Sequence, residues 1–137
     1  WQGVVTNLQN AGIYNNIKIG SPSASPGGTT APQTWYIHRS SILAGKINRT
    51  LYRLQQFFAA CTGCRFDFIT IHNYNCNSPY YNGDGTMYWV NLMNYTFGLP
   101  VWLTEFSCTD AGTTVAQEEQ YMTSLLGDLD AAPYVER

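Results

Sequence analysis

Short apolar segments along the chain alternate with longer segments whose apolar residues recur at helical spacing. The apolar segments predict strands over Ile17–Ser21, Phe66–Tyr74 and Val101–Phe106, and Tyr134–Val135 begins a further strand. A Ser-, Pro-, Gly- and Thr-rich loop follows the first strand at 22–32, and an Asn- and Gly-rich loop follows the second at 75–85. Each strand is therefore separated from the next by a loop and a helical pattern.

The helical segments have clear start and stop signals. A helix is predicted at about Ser40–Ala60, because its apolar positions step by four and three: Ile47, Leu51, Leu54, Phe58 and Cys61. A second helix is predicted at about Thr86–Phe97, where Gly98 supplies the stop. A capping box, Thr114–Gln117, opens the last helix, which is expected to turn four residues inward: Met122, Leu125, Leu126 and Leu129. Strands that alternate with helices at this spacing predict an α/β fold with a parallel sheet.

Polar side chains stand at the carboxyl ends of two predicted strands. His72, Asn73 and Tyr74 end one strand, and Glu105 ends the next after a run without charge. Parallel sheets build their sites at this edge. A carboxylate at the end of a buried strand is unfavourable unless it is hydrogen-bonded or used in chemistry. Glu105 is therefore the leading functional candidate, with a structural ion pair as the alternative.

Alternation along the second strand puts Thr70, His72 and Tyr74 on one face and the isoleucines Ile69 and Ile71 on the other. The isoleucine face suits packing under helices, so the polar face is expected to lie beside Glu105. A tyrosine hydroxyl there can orient a carboxylate through a hydrogen bond. His72 either bonds a substrate hydroxyl or is a satisfied core histidine, and Tyr74 either orients Glu105 or simply packs.

The composition excludes some classes of partner. The net charge is −2 and only 12% of residues are charged, about half the usual ~25%. No basic stripe is present, which argues against nucleic acid, and no apolar run reaches the roughly 18 residues of a membrane span. Aromatic residues make up 15% of the chain, which suits either sugar binding or an aromatic-rich core. The chain begins at Trp1 with no initiator Met, so the natural N-terminus is expected to lie upstream or to have been removed, and no signal-peptide pattern is present.

The four cysteines are expected to be structural. Cys61 and Cys64 could form a metal half-site, but Cys76 and Cys108 are too far apart in sequence to complete one. A thioredoxin-like motif would follow a strand, whereas this pair follows a predicted helix. Disulfides in an oxidising compartment, and hence a secreted or cell-wall protein, are the favoured interpretation. Sequons at Asn48 and Asn94 are compatible with a glycoprotein.

Five segments together resemble the Asl-like fungal glycoside hydrolase catalytic domain, glycoside hydrolase family 128 of clan A, a group of endo-β-1,3-glucanases. They lie in the family's order over nearly the whole chain: 19–23, 67–74, 100–106, 117–122 and 133–137. The resemblance implies part of a (β/α)8 TIM barrel, roughly strands five to seven with their helices. Residues 1–137 are thus expected to be the C-terminal half of the catalytic domain, a fragment.

The resemblance assigns Glu105 as the nucleophile on strand seven. It implies an acid/base Glu after an Asn at the end of strand four, and this sequence has no Asn-Glu pair. Asp67 lies roughly 17 Å too deep to replace it, at about 3.3 Å per strand residue. The remaining candidates lie on loops or in a helical first turn: Asp84, Asp110, Glu118 and Glu119. The missing acid predicts that the chain alone has little or no activity.

The remaining site expectations concern the loops at the strand ends. Trp35 is either a sugar platform by analogy with the family or the residue that opens the following helix against the core. Tyr80 and Tyr81 are expected to stack on sugar faces, and Asn73 to bind substrate. The family often has a cysteine just after the nucleophile. A Cys76–Cys108 disulfide between adjacent strand ends is therefore expected.

The sequence thus predicts a retaining hydrolase of β-1,3-glucan, or of a related cell-wall polysaccharide or oligosaccharide, that needs no metal or cofactor. Two alternatives stay open. One is a non-catalytic glucan-binding module, which would bind laminarin without cleaving it. The other is a structural cell-wall protein derived from the barrel, which would bind no saccharide.

Overall fold

The computed structural model describes residues 1–23, 49–74, 76, 80–108 and 112–136. The described helices are α1 (Gln2–Asn10), α2 (Arg49–Ala60), α3 (Asp84–Phe97) and α4 (Val115–Ala131), and the described strands are β1 (Ile69–Asn73) and β2 (Val101–Phe106). A 3-10 turn at Tyr14–Asn16 follows α1. Several predictions lie wholly or partly outside the described residues: those for Trp35, Asn48, Asp110, the loop at 22–32 and the first part of the helix predicted from Ser40.

The sheet is parallel, as the alternating pattern predicted. β1 pairs with β2, and isolated parallel bridges join Gly20 to Phe68 on one side and Val101 to Val135 on the other. The segments therefore lie side by side in chain order. β1 is shorter than the predicted Phe66–Tyr74, because regular pairing with β2 begins only at Ile69. The fold class, α/β, is confirmed.

The core lies on one face of the sheet, under α3 and α4. Ile69, Ile71 and Val101 of the strands are fully buried there. The helices contribute four further fully buried hydrophobic side chains: Val90, Met93, Tyr121 and Leu125. We call this side the helix-covered face. The isoleucine face of the predicted strand is therefore the packed face, as expected.

The predicted helix boundaries are close to those observed. α3 begins at Asp84, two residues before the predicted Thr86. It ends at Phe97, and the next residue, Gly98, has a left-handed φ of 65°. The amide of Asn94, whose nitrogen would carry a glycan, instead donates to the Leu99 carbonyl at 2.9 Å. That bond joins the last turn of α3 to the segment that follows its glycine stop.

The capping box of α4 is confirmed, with the Thr114 side chain accepting from the Gln117 amide and Gln117 bonding back. The prediction that Leu126 points inward is wrong, since Leu126 is 47% exposed. Tyr121 fills the core instead. It lies four residues before Leu125, so the two side chains share one stripe of the helix, whereas Leu126 is rotated about 100° away.

The N-terminal segment, for which the hydrophobic pattern predicted no helix, forms α1 and packs on aromatic rings. The Trp1 ring lies 6.0 Å from Phe57 and 5.8 Å from Phe66. Nearby, Cys61 and Cys64 form a disulfide between α2 and β1, so their sulfur atoms are not available as metal ligands. The pair follows a helix, whereas a thioredoxin motif follows a strand, so the position favours a structural crosslink. Within the described part of the chain, no helix is both long and apolar enough to cross a membrane.

Candidate active site

The carboxyl ends of β1 and β2 meet at one edge of the sheet. In β1, Ile71 and Asn73 lie on the helix-covered face and His72 lies between them on the opposite face, which we call the site face. Tyr74 follows directly, with its ring centroid 6.2 Å from that of His72 and nearly perpendicular to it. One strand end therefore presents an imidazole and a phenol together.

Glu105 lies on the site face although Val101 and Leu103, at alternate positions before it, are buried under the helices. The register explains this difference. Ile71 pairs with Leu103, but His72 pairs with Glu105, so Thr104 is an extra residue in β2. A β-bulge of this kind reverses the faces of the residues that follow it.

The three side chains contact one another. The Tyr74 hydroxyl donates a hydrogen bond to Oε2 of Glu105, and Nε2 of His72 lies 3.5 Å from Oε1. The Glu105 side chain is 55% exposed and that of His72 25%. The carboxylate is thus oriented by neighbours on both oxygens and remains open to a ligand.

The same contact defines the proton on Tyr74. The hydrogen bond to Glu105 raises the pKa of the Tyr74 phenol above its ordinary value of 10.0, and partial burial and repulsion by the Glu105 charge act in the same direction. The phenol therefore stays protonated at neutral pH and acts as a donor. Tyr74 is suited to orienting a carboxylate and unsuited to accepting a proton.

Asn73 is not on the site face, contrary to the expectation that it binds substrate. Its side chain is buried and donates to Oγ1 of Thr86 at 2.6 Å. The Thr86 hydroxyl in turn lies 2.8 Å from the Tyr121 hydroxyl. Because a buried polar group must be bonded, this network fixes the end of β1 against α3 and α4. The sequence pattern missed the roles of Thr86 and Tyr121, because a hydrogen bond between separate elements leaves no signal in local spacing.

The first two turns of α4 hold the loops that follow both strands. Oε2 of Glu118 accepts from the Cys108 amide at 2.8 Å, and the Gln120 side chain donates to the Tyr80 carbonyl at 3.0 Å. Cys76 and Cys108 form the disulfide that the sequence analysis expected, with their Cα atoms 5.0 Å apart. The two loops are therefore crosslinked to each other and bonded to one helix.

The tyrosines of the loop after β1 differ in accessibility. Tyr80 is 60% exposed, whereas Tyr81 is half-buried against the core and has a left-handed φ of 47°. A non-glycine residue in that conformation is strained and is held by its surroundings. The Tyr80 ring is therefore accessible to a ligand, whereas the Tyr81 side chain packs against the core.

Two other described carboxylates, those of Asp67 and Asp84, have structural partners. Oδ2 of Asp67 accepts from the Ile19 amide at 2.7 Å and from Arg65 at 3.0 Å, deep in the sheet as expected. Asp84 accepts from the Asn82 side chain at 2.9 Å. In the part of the chain that the structure describes, His, Cys, Asp and Glu form no group of three suited to a metal.

The family model of the glycosyl hydrolase catalytic core matches residues 2–137. The chain belongs to the glycosyl hydrolase catalytic core family. The match covers nearly all of the sequence, and it agrees with the resemblance to glycoside hydrolase family 128. The sheet that carries Glu105 is therefore part of a glycosyl hydrolase core.

Solved structures of family 128 β-1,3-glucanases are similar to this catalytic core. The endo-β-1,3-glucanase of Sorangium cellulosum, subgroup II, has a TM-score of 0.71 and 25% identity, with 98% of this chain and 48% of that chain covered. The curdlan-specific exo-β-1,3-glucanase of Blastomyces gilchristii, in complex with glucose, has a TM-score of 0.61 and 22% identity, with coverage of 97% and 50%. The chain thus spans about half the length of these enzymes.

A curated relative is alkali-sensitive linkage protein 1 of Schizosaccharomyces pombe (strain 972 / ATCC 24843). It is 41% identical over 93 residues, which cover 61% of this chain and 16% of that protein. The sequence of this glycosyl hydrolase core therefore corresponds to a small part of a much longer chain in that relative.

Proposed function

We propose that this chain supplies the nucleophile half of a retaining β-1,3-glucan hydrolase, with Glu105 as the nucleophile. One observation carries the proposal. Glu105 is an exposed carboxylate that receives the Tyr74 hydroxyl on one oxygen and lies 3.5 Å from His72 at the other. An oriented, accessible carboxylate is what covalent catalysis at an anomeric carbon requires.

The reaction proceeds in two displacements. Glu105 attacks the anomeric carbon while a carboxylic acid protonates the departing glycosidic oxygen, which leaves a glycosyl ester on Glu105. Water then attacks the same carbon, the second carboxylate takes its proton, and Glu105 is released. Tyr74 keeps donating to the carboxylate, and His72 is positioned to bond a sugar hydroxyl beside it.

We propose that none of the other described carboxylates is the acid/base group. Glu118 accepts from the Cys108 amide, and Asp67 and Asp84 have the partners given above. We propose that the acid comes from protein beyond these residues, within a (β/α)8 barrel of which this chain forms strands five to seven. The 137-residue chain by itself is then inactive.

The substrate proposal rests on the similar structures and on the loops. The Blastomyces enzyme is described as curdlan-specific and binds glucose. In this chain, Tyr80 offers an exposed ring on the loop after β1, which suits stacking on a sugar face. Two disulfides suit an oxidising compartment, so we propose that the protein is secreted or lies in the cell wall.

Laminarin hydrolysis by the full-length protein tests the proposal. Glu105→Gln keeps the shape of the side chain and removes its charge, so kcat should fall by roughly three orders of magnitude or more. Glu119→Gln is the matched control, because Glu119 is an exposed glutamate outside the group formed by His72, Tyr74 and Glu105. NMR of the first product should show retained β configuration.

Several outcomes would contradict the proposal. Full activity in Glu105→Gln would show that Glu105 is not the nucleophile, and a product with inverted configuration would contradict the retaining mechanism. Laminarin binding without hydrolysis by the full-length protein would favour the glucan-binding module instead. Measurable hydrolysis by residues 1–137 alone would show that the acid lies within this chain.

A further inference from the structure

The alternation of side chains between the two faces of the sheet reverses part-way along β2. Val101 and Leu103 are buried on the helix-covered face, so an uninterrupted strand would bury Glu105 there as well. The observed strand instead exposes Glu105, and Phe106 packs toward the helices, 6.5 Å from the Tyr121 ring. The extra residue at Thr104 therefore exchanges the faces of Glu105 and Phe106.

Burial explains why the phase changes but not where the bulge lies. Placing the Glu105 charge among apolar side chains is unfavourable, and so is leaving Phe106 in water. An extra residue at Leu103 would satisfy the two later positions equally well. Something local must therefore hold the bulge at Thr104, the residue next to Glu105.

The Thr104 side chain makes the contact that distinguishes this position. Its hydroxyl donates to the carbonyl oxygen of Ile71 at 3.4 Å. Ile71 is the residue after which the register shifts. A side-chain donor thus reaches the β1 carbonyl where the regular backbone ladder is interrupted, and the ladder resumes when the Ser107 amide donates to Asn73 at 3.2 Å.

We propose that Thr104 is a positioning residue. Its hydroxyl fixes the position of the β-bulge and so directs the Glu105 side chain toward Tyr74 and His72. This inference rests on the proposed role of Glu105 as nucleophile. Thr104 itself takes no part in the chemistry. It acts on the direction of the carboxylate, and a small error in that direction slows attack on the anomeric carbon.

The test compares Thr104→Val, which keeps the shape and loses the hydroxyl, with Thr104→Ser, which keeps the hydroxyl. In the full-length protein, Thr104→Val should lower kcat on laminarin about ten- to hundredfold with little change in KM. Thr104→Ser should restore most of it. Thr123→Val, an exposed threonine of α4, is the matched control and should behave as the wild type.

A second measurement does not depend on hydrolysis. The Tyr74 phenol titrates above its ordinary range because of Glu105, so its pKa reports whether the carboxylate still faces it. With ¹³C-labelled tyrosine, the Tyr74 signal is assigned from its loss in Tyr74→Phe. Thr104→Val should lower the Tyr74 pKa toward that found in Glu105→Gln, and Thr104→Ser should leave it raised.

An unchanged kcat and an unchanged Tyr74 pKa in Thr104→Val would overturn the proposal. If the wild type does not hydrolyse laminarin, the proposed function fails, and the Tyr74 titration alone decides the role of Thr104. Should Thr104→Val not fold, Thr104→Ala is measured in the same way. Failure of both to fold, with Thr104→Ser folded, would make Thr104 a stability residue and contradict the positioning role.

Discussion

The Tyr74 phenol donates a hydrogen bond to Glu105 across the edge of the sheet, from the end of one strand to the end of its parallel neighbour. The contact joins residues 31 positions apart in sequence. It depends on β1 and β2 ending at the same level, with Glu105 turned toward β1. The titration of Tyr74 therefore reports on this contact.

Glu105→Gln should lower the pKa of Tyr74 toward its ordinary value of 10.0. The Glu105 hydrogen bond is the largest cause that raises this pKa, and the Glu105 charge adds to it; a neutral amide weakens the hydrogen bond and removes the charge. Tyrosine-labelled ¹³C NMR over alkaline pH measures the change. Glu119→Gln should leave the Tyr74 titration where it is, and an equal shift in that control would contradict the assignment.

Tyr121→Phe should destabilise the protein at neutral pH by about 1–3 kcal/mol, because it leaves Thr86 and Asn73 short of a buried partner. Burial raises the pKa of Tyr121. Its contribution to stability is therefore complete below pH 10.0 and is lost as the pH rises through the higher folded-state value. Urea unfolding at increasing pH should show that the difference in free energy of unfolding between wild type and variant shrinks above pH 10.0.

The sign follows from proton binding. Above pH 10.0 the unfolded chain loses the Tyr121 proton first, so it binds fewer protons than the folded chain and stability falls with pH. Tyr95→Phe is the control, because Tyr95 is 89% exposed. A constant gap between wild type and Tyr121→Phe across the alkaline range would contradict this account.

Replacing Cys76 and Cys108 by alanine should lower the free energy of unfolding by about 3–4 kcal/mol, because the disulfide closes a long loop of the unfolded chain. The two residues are separated by 32 positions. The matched pair is Cys61 and Cys64, separated by only 3 positions, whose removal should have about half that effect. Urea denaturation of both double variants decides it, and equal losses would be inconsistent with loop closure as the main term.

Two glycines should respond oppositely to alanine. A Cβ on Gly83 would come within 2.9 Å of the Leu125 Cα atom, so Gly83→Ala should force α3 and α4 apart and destabilise the protein by about 1–3 kcal/mol. Gly127 lies in α4 with nothing within 4 Å of a Cβ, so Gly127→Ala should stabilise it by up to about 1 kcal/mol. Thermal melts compare the two, and a stabilised Gly83→Ala variant would show that the helices do not pack this closely.

Much of the local structure could be predicted, because it depends on neighbouring residues. The capping box at Thr114, the glycine stop at Gly98 and the span Val101–Phe106 all follow from short-range spacing. The errors arise where contacts across the fold decide. Tyr121 and Leu126 lie on different faces of α4, and packing against the sheet buries the Tyr121 face. Asn73 turns inward because Thr86 and Tyr121 complete its hydrogen bonds.

The sequence by itself determined the α/β order, the family and the meeting of His72, Tyr74 and Glu105 at one edge, since parallel strands must end together. It did not determine which way Glu105 points. Simple alternation puts Glu105 on the same face as Leu103, under the helices. Only the tertiary structure, in which burial of Phe106 and the extra residue at Thr104 reverse the strand, turns the carboxylate outward. A bulge has no periodic signature, so pairing with β1 had to be seen before its direction was known.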